Sequence, residues 1–134
     1  MPDSVSQSGI PHSVEVDPGR KLIVLTMSGV ISPEDAAWMA EEVRAGVRSL
    51  GSAVGQHVTL YDFSDVPVAP QATVEQLCET FRNDAIRHLW ARKLAIVTTT
   101  ALGRMQVARV KEVRPDIEIF QDRAAALAWL LAEG

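Results

Sequence analysis

The sequence predicts an α/β domain with an open, mostly parallel five-stranded sheet and the element order ββαβαβαβα. Short apolar runs of strand length alternate with longer segments of helical periodicity. Only a turn separates the first two strands, so they are expected to pair antiparallel, whereas each later strand follows a helix and joins the sheet in parallel. The length of 134 residues, with 47% hydrophobic and 22% charged residues, matches one globular domain.

A hairpin is predicted at the start of the domain. Residues 12–17 alternate between polar and apolar side chains, and Pro18 and Gly19 suit the central positions of a type II turn. The apolar run at 22–27 lacks that alternation, which is typical of a central strand covered on both faces.

Strong local signals mark the first helix, predicted over residues 33–50. Ser32 is a suitable N-cap, Pro33 suits the first helical position, and Asp35 can complete a capping box with Ser32. The glycine spacing within 46–52 is similar to a phosphate-binding loop, but the required lysine is missing and the segment follows a helix instead of a strand. We interpret these glycines as the end of the helix.

The remaining elements follow from the same patterns. We predict strands at 57–63, 93–98 and 117–120, and helices at 72–89, at 101–113 and after the N-cap Asp122. Cys78 falls on the apolar stripe of the second helix, which predicts a buried thiol. The third helix is basic, and its cations are interpreted as a solvated face with one arginine at the edge of the core: Arg104, Arg109, Lys111 and Arg114.

Composition and charge argue against several classes of function. The formal net charge of −4 disfavours a nucleic-acid partner, because proteins that bind phosphate backbones are normally basic. No apolar run approaches the roughly 18 residues of a membrane span, so stable membrane insertion is not expected. Residues 1–11 lack the features of a secretory signal and are expected to form a flexible leader before a single domain at 12–134. With one cysteine, a cytoplasmic location is the best match.

The sequence contains no recognisable catalytic or metal-binding motif. His12, His57 and His88 are far apart, and the single cysteine has no partner at metal-ligand spacing. Neither a nucleophile elbow nor a dinucleotide fingerprint is present. We therefore predict no catalytic residues, no metal and no cofactor.

Polar side chains cluster at the carboxyl ends of the third and fourth predicted strands. In open parallel sheets, ligands bind beyond the carboxyl ends of the strands. Hydroxyls, a guanidinium and free helix N–H groups there favour a small anionic or polar ligand. The alternative is that these side chains cap turns, with Asp62 bound to a backbone N–H of the following turn. The candidate ligand-binding residues are Asp62, Ser64, Thr98, Thr99, Thr100 and Arg104.

Trp38 is the candidate interface residue. At helical spacing it projects roughly opposite the stripe that contains Met39 and Val43, among Glu34 and Glu41, so it is expected outside the main core. Tryptophan is enriched at binding hot spots, which predicts self-association, as a homodimer, or contact with another protein there. The alternative is that the indole folds back over a neighbouring loop.

The hairpin and four further stretches carry a family resemblance. The stretches are 28–35 (SGVISPED), 60–66 (LYDFSDV), 93–97 (KLAIV) and 119–130 (IFQDRAAALAWL). On these residues the chain resembles the SpoIIAA-like fold, which is shared by STAS domains of anti-sigma-factor antagonists and sulphate transporters. More closely, it looks like the small bacterial proteins of unknown function in that superfamily.

The resemblance implies a non-enzymatic module that binds another protein, a second copy of itself, or a small ligand. Antagonist members carry a phosphorylatable serine, in an Asp-Ser-Ser-Gly-type motif, at the start of the helix after the third strand. This chain has 67–73 (PVAPQAT) there, so the phosphorylation switch is not carried over. Thr73, the nearest hydroxyl, is interpreted as a helix cap. The alternative function is a carrier of a small apolar or lipid-like ligand, because the CRAL-TRIO lipid-binding domains resemble this fold.

Overall fold

A computed structural model describes residues 12–132, and the predicted leader lies outside the described residues. The strands are β1 His12–Asp17, β2 Leu22–Ser28, β3 Val58–Asp65, β4 Lys93–Val97 and β5 Glu118–Phe120; the helices are α1 Pro33–Arg48, α2 Gln71–Arg82, α3 Ala101–Val113 and α4 Arg123–Leu131. This sequence of elements confirms the predicted order ββαβαβαβα.

The strands form one five-stranded sheet in the order β1-β2-β3-β4-β5. β1 pairs antiparallel with β2, and the three later pairs are parallel, which confirms the predicted open, mostly parallel sheet. Each of α1, α2 and α3 connects two neighbouring parallel strands, and these helices pack side by side over one face. α4 covers the other face, against β3, β4 and β5.

Apolar clusters on both faces of the sheet hold these layers together. Along β3, Tyr61 and Phe63 face the three-helix side, whereas Val58 and Leu60 face α4. Side chains of β2 divide between the same two clusters, which explains why its apolar run has no polar alternation. The prediction that this strand is central is confirmed.

The helix boundaries largely follow the local signals. Ser32 Oγ accepts the Asp35 N–H at 3.0 Å, and Asp35 Oδ2 accepts the Ser32 N–H at 2.9 Å, so the capping box of α1 is confirmed. Asp122 Oδ1 accepts the Ala125 N–H at 2.8 Å and caps α4 as predicted. After α1, Gly51 adopts a φ of +59°, a left-handed conformation that ends a helix readily, which supports the helix-end interpretation of the nearby glycines.

The second predicted helix consists of two elements. α2 ends at Arg82, and a separate 3₁₀ segment follows at Asp84–Leu89. Asn83 lies between them with a ψ of 103°, and its side-chain oxygen accepts a backbone N–H two residues on, at 3.0 Å. This local bond competes with continuation of the helix. The break lets Leu89 enter the core, so the prediction of one helix to residue 89 is wrong.

The β1–β2 turn also differs from the prediction. Gly19 lacks the positive φ that a type II turn requires, and Lys21 is left-handed instead, at a φ of +53°. The Lys21 N–H donates to the Pro18 carbonyl at 3.2 Å. Asp17 accepts both the backbone N–H and the Nε–H of Arg20, at 3.2 and 2.8 Å, which closes the loop. The hairpin is confirmed, whereas the type II turn is wrong.

Candidate functional site at the carboxyl edge of the sheet

Connections from three parallel strands meet at the carboxyl edge of the sheet. We call them the edge loops: 29–32 after β2, 66–70 after β3 and 98–100 after β4. The Gly29 N–H donates to the Asp65 carbonyl at 3.0 Å, which joins the first loop to the end of β3. The Thr73 hydroxyl, in the first turn of α2, donates to the Ile31 carbonyl at 2.5 Å. The first edge loop is therefore hydrogen-bonded to the end of β3 and to the start of α2, the two elements that the second edge loop connects.

Threonine hydroxyls attach the third edge loop to the second. The Thr99 hydroxyl donates to the Ser64 carbonyl at 3.1 Å, and the Thr100 hydroxyl donates to the Pro67 carbonyl at 2.6 Å. The same Thr100 oxygen accepts the Gly103 N–H at 2.9 Å and so caps α3. These hydroxyls act in loop closure and capping, the alternative that the sequence left open.

An amide side chain completes the network of the edge loops. Gln106, one turn into α3, donates from Nε2 to the Ala69 carbonyl at 2.6 Å and accepts the Ala69 N–H on Oε1 at 2.9 Å. These two hydrogen bonds satisfy both the backbone N–H and the carbonyl of Ala69, as pairing with a neighbouring strand would. The edge loops therefore form a preorganised surface.

Asp62 lies away from these loops. It is buried within β3, and its Oδ1 accepts the Ser64 N–H at 3.0 Å and the Ser64 hydroxyl at 2.6 Å. Oδ2 accepts a guanidinium N–H of Arg123, at the start of α4, at 3.0 Å. Asp62 thus accepts a backbone N–H, as the alternative expected, but the N–H belongs to Ser64 within β3 and not to a following turn. Sequence reasoning missed Arg123, whose position directly after the cap of α4 was the available signal.

Thr98 lies on the opposite face of the sheet from Asp62. Val97 pairs with Asp62 and belongs to the cluster under α4, so the next side chain along β4 points the other way. Thr98 is 1% exposed and packs beneath the first turn of α3, where a Cβ on Gly103 would lie 2.2 Å from its hydroxyl oxygen. Thr98 therefore has a packing position.

Arg104 is the least engaged of the six candidate residues. Its side chain is half-buried and forms no ion pair or hydrogen bond with another residue of the described range 12–132. Arg104 lies in the first turn of α3, where its backbone N–H donates to the Thr100 carbonyl at 3.0 Å, whereas Asp62 and Thr98 are on opposite faces of the sheet. A single pocket lined by all six does not form, and an anion-binding role for the group at the edge loops stays a prediction.

Exposed apolar side chains at the same edge were not predicted as a site. We call them the edge patch: Val30 (69% exposed), Val68 (43%), Leu102 (59%) and Met105 (68%). Leu102 and Met105 lie on the exposed side of α3, because the residues that this helix buries are Gly103, Val107 and Val110. Apolar residues in loops directly after strands, and a second apolar stripe on α3, were the signals in the sequence.

An apolar cavity of about 40 Å³ lies beneath the edge patch. Phe63, Val74 and Val107 are among the residues that line it. It has room for about three water-sized groups. Small-molecule pockets typically measure about 300–1,000 Å³, so the cavity is far smaller than a lipid-like ligand requires.

Trp38 is less exposed than expected. It is half-buried and packs against the main core cluster, with its indole Nε1 buried and without a hydrogen-bond partner in the described range. Part of the ring lines a shallow surface groove together with Glu34, Ala37 and Glu41. Trp38 is therefore outside the buried core, as expected, although its ring packs against that core. Its interface role stays a prediction.

The basic residues of the third helix have unequal roles. Arg109 pairs with Glu75 of α2 on the surface, as a solvated face predicts. Arg114 is 3% exposed, so the interpretation of a solvated cation is wrong for this residue. No group of three or more His, Cys, Asp or Glu side chains within residues 12–132 is placed to hold a metal ion. Over the same range, none of the helices combines the length and the apolar character needed to cross a membrane.

Comparison with known proteins bears on the fold. No family model and no curated protein matches the sequence. An anti-sigma factor antagonist from Mycobacterium paratuberculosis superposes with a TM-score of 0.56 at 16% identity, over 91% of this chain and 94% of that chain. An uncharacterized protein of the DUF3478 family with a SpoIIAA-like fold, from Shewanella loihica PV-4, superposes with a TM-score of 0.62 at 17% identity, over 92% and 94%. This chain therefore has a SpoIIAA-like fold, as its sequence resemblance predicts.

Proposed function

We propose that this chain is a non-enzymatic, STAS-like regulatory module of the cytoplasm that binds another protein through the edge patch. The observation that carries the proposal is the exposure of four apolar side chains, two on the edge loops and two at the start of α3, where hydrogen bonds hold these elements together. The fold supports it, because one structural neighbour is an anti-sigma factor antagonist. The same fold serves many activities, so the surface carries the argument.

The edge patch has the physical properties of a docking surface. Exposed apolar side chains that lie together mark interaction sites, and covering one such side chain fully contributes about 1.5–3 kcal/mol. The side-chain bonds from Thr100 and Gln106 hold the loops in place before binding, which lowers the entropic cost of association. The partner should offer apolar side chains and a carboxylate, because Arg104 beside the patch has no acidic partner in the described range.

Phosphorylation of the kind used by antagonist domains is not part of this proposal. Thr73 occupies the region of the phosphorylatable serine, but it is 1% exposed and its hydroxyl donates to the Ile31 carbonyl. The N-cap of α2 is Pro70, without a side-chain hydrogen bond, so Thr73 does not act as the predicted cap. A phosphate on Thr73 would require unpacking of the helix start. We therefore propose constitutive binding.

The carrier of an apolar or lipid-like ligand is the second candidate that the sequence raised. The apolar cavity beneath the edge patch measures about 40 Å³, which is too small for an acyl chain without rearrangement. The size of this cavity favours a protein partner over a lipid-like ligand.

Site-specific crosslinking tests the proposed docking surface. A photoreactive amino acid in place of Met105 is expected to capture a discrete protein in lysate, and the same substitution at Leu131 serves as the control. Leu131 is also exposed, at 38%, but it belongs to α4 on the opposite face.

Binding of the captured protein is then measured by calorimetry with purified components. The double variant Leu102→Glu/Met105→Glu is expected to bind at least about tenfold more weakly. A tenfold change in Kd corresponds to about 1.4 kcal/mol, and burying two unpaired carboxylates costs well over that amount. Leu131→Glu should bind like the parent. Equal affinities for both variants would contradict the proposed surface.

A further inference from the structure

A second cavity lies at the amino edge of the sheet, the end opposite the edge loops. It measures about 50 Å³ and is lined by residues of β3, β4, α1, α2 and the 3₁₀ segment. We call it the amino-edge cavity. Its polar lining includes His57, Tyr61, Trp90, Arg44 and Arg114.

His57 presents an unpaired hydrogen-bond donor at this cavity. The side chain is fully buried, and its Nδ1 accepts the Gly55 N–H at 3.1 Å. An accepting Nδ1 places the ring proton on Nε2, which is buried and has no hydrogen-bond partner in residues 12–132. Burial, with the nearby Arg114 charge second, lowers the pKa of His57, and the backbone of Ala53 opposes this shift only in part, so the ring is neutral.

Trp90 contributes a second donor without a partner. Its indole Nε1 is buried and forms no hydrogen bond in the described range. The guanidinium of Arg114 lies 4.3 Å from the centre of the Trp90 ring system and 5.6 Å from that of Phe81, so cation–π contacts hold these groups against each other. Buried polar groups without partners are rare in native proteins and cost free energy, which points to an occupant with acceptor atoms.

The charged side chains that line the amino-edge cavity are two arginines. Arg114 is 3% exposed and donates from Nη2 to the Ala91 carbonyl at 2.8 Å and from Nε to Asp116 at 3.1 Å. Arg44 supplies a second guanidinium, which pairs with Glu41. Neither Glu41 nor Asp116 lines the cavity, and no other carboxylate of the described chain does.

Tyr61 adds a neutral hydroxyl to this lining. Burial raises the pKa of Tyr61 above its ordinary value, so the group stays protonated and can donate. The remaining walls are mainly apolar, with Val43, Val47 and Leu94 among them. The amino-edge cavity thus combines several donors and two cations with apolar walls, and it has room for about four water-sized groups.

We propose that the amino-edge cavity binds a short monocarboxylate of the size of acetate or propionate. The carboxylate oxygens accept hydrogen bonds from His57 Nε2 and Trp90 Nε1, and the Arg114 guanidinium balances the negative charge. The apolar walls cover the short alkyl part. This site is separate from the edge patch, so a small metabolite of this class would bind without blocking a protein partner.

Nuclear magnetic resonance of the native chain tests the site directly. Propionate is titrated at constant ionic strength while the indole Nε1–H signals of the three tryptophans are followed. The Trp90 signal is expected to shift saturably at millimolar propionate, together with the His57 ring signals. Trp129 is the internal control, because it packs in the cluster under α4 on the other face. Chloride, inorganic phosphate and the neutral propionamide are titrated in parallel.

A conservative variant then tests the assigned donor. Trp90→Phe removes the N–H and keeps an aromatic ring against Arg114, so propionate affinity, followed at His57, should fall about tenfold, as expected for a hydrogen bond to a charged group. Trp129→Phe should leave the affinity unchanged. Unmoved Trp90 and His57 signals at tens of millimolar propionate would mean that the cavity holds water only and would overturn the proposal. Equal responses to propionamide or phosphate would overturn the assignment of a carboxylate.

Discussion

Replacement of Gly103 by alanine should destabilise the fold through the edge loops. An added Cβ would lie 2.2 Å from the hydroxyl oxygen of Thr98 and 2.9 Å from that of Thr100, whereas unstrained contacts are above 3.4 Å. Thr98 is 1% exposed, and the Thr100 oxygen is held between the Gly103 N–H and the Pro67 carbonyl. Neither side chain can move away without loss of packing or of a hydrogen bond.

The expected magnitude follows from three opposing effects. Overpacking costs about 1–3 kcal/mol, and loss of a threonine cap adds about 0.5–2 kcal/mol. The higher helix propensity of alanine offsets these costs by about 1 kcal/mol at most, because it stabilises α3. The free energy of unfolding of Gly103→Ala should therefore be lower than that of the parent by about 1–3 kcal/mol.

Urea denaturation followed by circular dichroism measures this change. The matched control is Gly19→Ala, where the added Cβ would meet its nearest atom at an ordinary 3.5 Å and stability should change by no more than about 1 kcal/mol. Thr98→Ala removes the nearest clashing oxygen, so the double variant Thr98→Ala/Gly103→Ala should recover at least about 1 kcal/mol relative to additivity. A Gly103→Ala variant as stable as the parent, or a double variant without coupling, would refute the reasoning.

Three further predictions concern single side chains. The pKa of His57 is lowered in the folded chain, so the unfolded chain binds more protons as pH falls below about 6.5, and the free energy of unfolding should drop there. In urea titrations at several pH values, His57→Gln should flatten that pH dependence; an unchanged slope would contradict the assignment. The Cys78 thiol is buried, and burial raises its pKa, so labelling of the native protein at pH 7 should proceed only on unfolding; rapid modification would contradict burial. Trp38→Ala should weaken self-association and, because the ring packs against the core, also lower stability; equal masses by light scattering at all concentrations would rule out the interface role.

Local patterns were sufficient for most of the fold. The capping box of Ser32 and Asp35 involves residues three apart, so its geometry depends on the helix start alone. The apolar run of β2 requires cover on both faces, which only a central strand has. The end of α2 was missed because Asn83 is tolerated inside many helices, and here the burial of Leu89 against distant parts of the chain decides the break.

The candidate site was predicted less well, because the sequence indicates where a strand ends more clearly than it indicates on which face of the sheet each side chain lies. Asp62 and Thr98 come from neighbouring strands near one edge, yet the alternation of side chains puts them on opposite faces. Leu102 and Met105 show helical spacing, but whether such a stripe is covered depends on how α3 lies against α2. Periodicity identifies an apolar face without identifying its partner.

The sequence by itself determined the order of the elements and the caps, since these depend on hydrogen bonds and side-chain periodicity over a few residues. The helical connections between successive strands then predicted the parallel arrangement of the sheet. Only the tertiary structure decided which polar groups meet. Asp62 pairs with Arg123, 61 residues away, and Arg114 lies beside the same small cavity as His57. Such contacts depend on the packing of helices against the sheet, and the local patterns of a single sequence do not predict which distant residues that packing brings together.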